Sequence, residues 1–158
     1  MKDMSNYPVS SVTVSGFVPA PPEEVFALIS DTRNDPEWCP NVDEAELVNG
    51  TDVEVGATFR FHQHLDRGGK RIEFDATVEV VSLEEDAIQW NVEDRFQTRN
   101  ISIVVKPEKD GTRITQTTKA SFVKNPGLTV RYGYPILAKR TLKDQFEHLV
   151  AHFTGKRS

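Results

Sequence analysis

Two adjacent glycines, Gly68-Gly69, stand between two runs that alternate apolar and polar residues. A two-residue loop at that point closes an antiparallel hairpin and sets its register. Arg67 then faces Lys70, Asp66 faces Arg71, Leu65 faces Ile72, His64 faces Glu73 and Gln63 faces Phe74. Further from the turn, His62 faces Asp75, Phe61 faces Ala76 and Phe59 faces Val78. One face collects Phe59, Phe61, Leu65, Ile72, Phe74, Ala76 and Val78, and the other collects Arg60, His62, His64, Asp66, Arg71, Glu73 and Asp75. A slip of one residue would mix the two sets, so the pattern itself supports the pairing. The chain must therefore build a sheet with one apolar face and one charged face.

The same period of two runs from Glu44 to Val123, with turn signals at short intervals, and reads as an antiparallel meander. Ile88, Trp90 and Val92 alternate on one strand. Asp110-Gly111 is a second hairpin signal, which pairs Val105 with Gln116, Ile103 with Thr118 and Ile101 with Ala120. The apolar face then carries a few polar residues, Gln63, Gln116, Thr118 and Arg99.

Helices bracket the meander. Val9 to Val18 reads as a strand, and Ala20-Pro21-Pro22-Glu23-Glu24 opens a helix with negative charge in its first turn, where the helix dipole favours it. Val25, Leu28 and Ile29 form the buried stripe of that helix. Asn34-Asp35-Pro36 reads as a second, short helix start, with a capping side chain followed by proline. After Asn125-Pro126-Gly127 a long helix runs to about Phe153, with Leu142, Phe146, Leu149, Val150 and Phe153 as its stripe. Gly133 and Pro135 fall inside that helix and predict a kink, a break or a late start there. The order is strand, short helices, six strands, long helix. That is an α+β chain in which one curved antiparallel sheet of about seven strands grips the C-terminal helix.

Composition narrows the function classes. The 158 residues suit one domain, 1–158, with a real core. A net charge of -5 argues against a general nucleic-acid binder. The single cysteine, Cys39, rules out an internal disulfide and fits a reducing cytoplasm. No apolar run approaches the ~20 residues that span a bilayer. No phosphate loop or nucleophile elbow is present.

The helix from Ala20 to Asp31, the Pro36-Glu37-Trp38-Cys39-Pro40 turn and the long terminal helix resemble the helix-grip superfamily of START-like proteins, in its polyketide cyclase/dehydratase-like branch. The resemblance covers about Ser10 to Phe153. It implies a fold in which the sheet wraps the terminal helix around an internal cavity for a small hydrophobic ligand. It implies no shared catalytic triad. The iron-binding ring-hydroxylating relatives also need a Rieske domain that one cysteine cannot supply.

On that reading Trp38, Phe59, Phe61, Phe74, Trp90 and Phe122 line the ligand space, and Gln63, Arg99, Gln116 and Thr118 are the polar groups that orient the ligand. Tyr132 and Tyr134, beside Gly133 and Pro135, are either packing residues or a gate with phenols reaching the ligand. His62 and His64 with Glu73 and Asp75 form a metal-like cluster, but the register puts it on the outer face as solvated charge pairs, so no metal and no cofactor are expected. Cys39 reads as a small buried hydrophobe. The expected activity is binding of an apolar or aromatic, polyketide- or lipid-like molecule, with cyclisation or dehydration as a further possibility. A carrier or sensor of a lipid or isoprenoid, and a partner-binding regulatory subunit, compete with it. The expected partners are the ligand and a possible second copy in a homodimer.

Overall fold

The computed structural model describes residues 8–122 and 127–155, with side chains described outside 8–10, 67 and 127–132. Strand β1 (Pro8–Val18) leads into helix α1 (Pro22–Ser30), a single 3-10 turn (Thr32–Asn34) and the short helix α2 (Asp35–Trp38). Strands β2 (Val42–Asn49), β3 (Thr58–Arg67), β4 (Lys70–Leu83), β5 (Ala87–Glu93), β6 (Gln97–Glu108) and β7 (Gly111–Phe122) follow, and helix α3 (Gly127–Thr154) closes the chain. All seven strands join one antiparallel sheet in the order β1-β7-β6-β5-β4-β3-β2. This is the expected α+β arrangement. Register shifts in β1, β2 and β4 mark bulges, which bend a strand and so help curve the sheet.

The β3–β4 pairing matches the expected register from Arg67↔Lys70 to Phe59↔Val78. Gly68 and Gly69 both take positive φ, 59° and 79°, as a two-residue hairpin turn of this hand requires. The second hairpin is corrected by one residue at its turn. Glu108 pairs with Gly111, so the loop is Lys109-Asp110, with Lys109 at φ 48°. Val105 therefore faces Ile114, Ile103 faces Gln116 and Ile101 faces Thr118. Moving a two-residue loop by one position shifts each pair by two, so the faces survive the error. The physical reason lies at Gly111. A Cβ there would collide with the Val18 carbonyl oxygen and come within 2.7 Å of the Phe17 ring. The glycine serves the close approach of β1, and the turn forms without it.

The inner face buries Val12, Val14, Phe59, Val78, Val80, Ile88, Val92, Ile103, Val105 and Ile114. Leu65 and Ile72, near the β3–β4 turn, extend beyond this core, and Leu65 is exposed. Helix α1 buries Val25 and Ile29 with Leu28 half-buried, and it rests near β6 and β7. Asn34 does not cap α2. Its side-chain amide donates instead to the Leu28 carbonyl oxygen at 3.2 Å, which ties the turn back to α1.

Helix α3 is continuous through Pro135 and begins at Gly127, so neither the expected break nor the late start occurs. Proline removes one intrahelical donor, but tertiary packing supplies most of a helix's stability. Tyr134 is tied to β6 and Ala138 packs on the core. Toward the C-terminal end Leu142, Phe146 and Leu149 are buried. Phe146 sits on Gly16 of β1, where a Cβ would stand 2.8 Å from its ring.

Replacing Gly16 by alanine should destabilise the protein by about 1–3 kcal/mol, because the added methyl forces Phe146 out of a close-packed seat. Urea denaturation measures it. Pairing the change with Phe146→Leu should return part of the loss, since the same contact is then relaxed. A neutral Gly16→Ala would contradict the packing described.

Candidate functional site

Alternation along each strand brings the expected polar residues to the inner face. Gln63 follows Phe61 by two on β3 and faces Phe74 of β4. Gln116 and Thr118 on β7 face Ile103 and Ile101 of β6. Arg99 on β6 faces Val92 and Ala120. Gln63, Gln116 and Thr118 are all buried, and the Arg99 side chain is 19% exposed. The aromatic residues Trp38, Phe59, Phe61, Phe74 and Trp90 are buried with them.

This face holds polar atoms without partners. Gln116 donates to the Thr118 hydroxyl over 3.4 Å, but its carbonyl Oε1 is buried and unpartnered among the described residues. So are Trp90 Nε1, Asp94 Oδ2 and Arg99 Nε, and, off the sheet on α2, Trp38 Nε1. Each such group costs roughly 1–3 kcal/mol relative to a satisfied one. Native folds keep few of them, and a cluster on one face calls for an explanation.

Asp94 was not foreseen. It lies two residues beyond Val92, in the turn between β5 and β6, and its side chain is 1% exposed. Its Oδ1 accepts the amides of Phe96 at 2.8 Å and Gln97 at 3.1 Å, which builds the turn. Its Oδ2 stands 3.7 Å from Arg99 Nη2. Gln97 was also missed. Its Oε1 accepts the Tyr134 hydroxyl at 2.8 Å, and the Tyr134 ring meets Phe122 edge-on at 5.3 Å. Burial pushes the Tyr134 phenol up, with Arg99 opposing, so it remains a neutral donor. Asp94 continues the Ile88-Trp90-Val92 alternation by one more step, which is the signal that would have found it. The side chain of Tyr132 lies outside the described residues.

Cys39 is buried, and burial pushes its thiol up with the neighbouring Asp35 adding to the effect. A thiol held protonated is a poor nucleophile, in line with the packing role expected of it. The histidine cluster lies on the outer face. His62 places Nδ1 2.7 Å from Asp75 and Nε2 2.9 Å from Glu73. His64 turns away from Glu73 to Asp43 of β2, at 2.9 Å, and Arg71 reaches the same carboxylate at 3.4 Å. Asp43, His62 and Glu73 offer ligand atoms within 4.8 Å of one another, but these atoms are engaged in ion pairs. No described helix is long and apolar enough to cross a membrane.

A family model described as polyketide cyclase / dehydrase and lipid transport matches residues 10–154. The chain belongs to that family. No curated protein matches the sequence significantly. Among solved structures, a Thermus thermophilus protein superposes with a TM-score of 0.71 at 22% identity, covering 94% of this chain and all of its own. A START superfamily protein from Mycobacterium smegmatis gives 0.68 at 16% identity, covering 92% of this chain and 94% of that one. The major latex-like protein 151 of Panax ginseng gives 0.63 at 19% identity, covering 89% and 97%. At these identities the likeness is one of fold, and that fold is the helix-grip fold.

The outer cluster should show itself in pH dependence. Glu73 and then Asp75 raise the His62 pKa in the folded state. That contribution is fully present below the ordinary histidine value of ~6.5 and is lost as pH rises through the raised one. His62 likewise lowers Glu73, and His64 lowers Asp43. Their contribution is present above the ordinary carboxylate value of ~4 and is lost on acidification. The melting temperature should therefore peak on the mildly acidic side and fall toward alkaline pH. In His62→Gln that alkaline fall should be flattened. Calorimetry over roughly pH 4 to 9 tests this, and an unchanged profile in the variant would remove His62 as its source.

Proposed function

We propose that this chain binds a small, largely apolar or aromatic molecule, polyketide- or lipid-like, in an internal cavity between the inner face of the sheet and α3. The observation that carries this reading is the unpartnered Gln116 carbonyl on a largely apolar face, with Trp90 Nε1 in the same state among the described residues. Apolar walls with a few convergent polar groups are what a small-molecule site needs. Family membership points the same way, since the family description names both cyclase/dehydrase chemistry and lipid transport. Gln63, Gln116, Thr118 and Trp90 would orient the ligand, and Phe59, Phe61, Phe74 and Trp38 would wall it.

Catalysis of a cyclisation or dehydration is a second reading. A titratable group at the end of the inner face, Asp94, favours it over a purely passive carrier, because proton transfer needs one. A uniformly apolar wall would have favoured transport alone.

Native mass spectrometry of the purified protein tests the binding reading. An added mass of an apolar molecule, one per chain and lost on organic extraction, is the expected result. Gln116→Leu should raise the melting temperature of the extracted protein, because an unpartnered buried carbonyl is replaced by an apolar group worth about 1 kcal/mol or more. The same variant should retain less of the added mass. A protein that carries no ligand and takes up no apolar probe would overturn the reading.

A further inference from the structure

Asp94 and Arg99 are the two oppositely charged residues that β5, its turn and β6 bring to the inner face. Val92 and Asp94 share a parity on one side of that hairpin. Arg99 sits directly across from Val92 on the other. Asp94 Oδ1 accepts both turn amides, which leaves Oδ2 as the oxygen with no hydrogen bond among the described residues. Arg99 Nη2 stands 3.7 Å from that oxygen, longer than a hydrogen bond. Arg99 Nε is buried, and neither it nor Asp94 Oδ2 has a hydrogen-bond partner among the described residues. Tyr134 closes the side toward α3 through its bond to Gln97. The pair thus offers guanidinium N–H donors beside a carboxylate oxygen that accepts no hydrogen bond among the described residues, with no net charge.

Charge balance selects what can sit there. A carboxylate would satisfy Arg99 but face the Asp94 carboxylate, and an ammonium would face the guanidinium. A bare apolar end would leave the ion pair with Arg99 Nε and Asp94 Oδ2 short of hydrogen bonds, at a cost that burial makes large. A hydroxyl meets both needs: its oxygen accepts from the guanidinium, and its proton goes to Asp94 Oδ2. We infer that Arg99 and Asp94 form a seat for the neutral hydroxyl, whether alcohol, phenol or enol, of an otherwise apolar ligand. This rests on the cavity reading above and names the polar end of the molecule that the cavity takes.

Three probes with one skeleton test it: naphthalene, β-naphthol and β-naphthoate, titrated against the wild-type protein by calorimetry at neutral pH. β-Naphthol should bind about tenfold tighter than either of the others. Equal binding of naphthalene and β-naphthol would overturn the hydroxyl seat and leave the cavity standing. Tightest binding of β-naphthoate would overturn it in favour of an anion site. Failure of all three would overturn the cavity reading and this inference with it. Asp94→Asn adds a change of sign. Asparagine can still accept the Phe96 and Gln97 amides, so the turn keeps its cap, while the seat becomes positive. β-Naphthol should weaken and β-naphthoate should strengthen, each by about tenfold. If both move the same way, charge balance at Asp94 does not set the preference. If the variant does not fold, the wild-type series decides alone.

Discussion

The seat of Phe146 on Gly16 is the contact on which the rest of the structure depends. A single sheet with one apolar face cannot stay in water unless something covers that face, and α3 is the cover. The missing Cβ at Gly16 lets the helix come down onto β1, and Leu142 and Leu149 bury on either side of Phe146. At the other end Tyr134 reaches Gln97 on β6. The helix therefore reaches both β6 and β1, on either side of β7, and the β7 residues Gln116 and Thr118 between them are polar and not fully satisfied among the described residues.

That mixture is where stability and function part. Burying apolar surface contributes about 25 cal/mol per Å² and would favour leucine or valine at every inner position. The chain instead places Gln63, Gln116, Thr118, Arg99 and Asp94 there, and several of their polar atoms lack partners among the described residues. Local choices that work against the core are expected at sites kept for binding. The outer face follows the opposite logic. Its ion pairs, His62 with Glu73 and Asp75 and Arg60 with Glu46, are exposed or half-exposed and individually worth little. They keep the outer face solvated and resist a register slip.

The two hairpins differ in how far their turns could be read. Gly68-Gly69 has open space around both residues, so its glycines answer only to the turn's backbone, and the register follows. Gly111 answers to Val18 and Phe17 on β1, a strand nearly a hundred positions away, and the turn it was thought to form moves to Lys109-Asp110. The inner face survived that error because a two-residue shift preserves parity. The same parity extends through Asp94, so one member of the candidate site was within reach of the sequence. The Asn34 amide bond to Leu28 and the Tyr134 bond to Gln97 were not, since each joins segments that no local pattern relates.

The amino-acid sequence by itself determined the strand faces, the α+β order and which polar residues share the inner surface, because side-chain alternation has a period of two and helical stripes have one of 3.6. Tertiary structure decided which of those polar atoms find partners, how α3 stays continuous through Pro135, and where Asp94 and Arg99 stand relative to each other. Those depend on distances between elements, which periodicity does not encode. A hydrogen bond made or missed by one ångström separates a satisfied core from a place for a ligand.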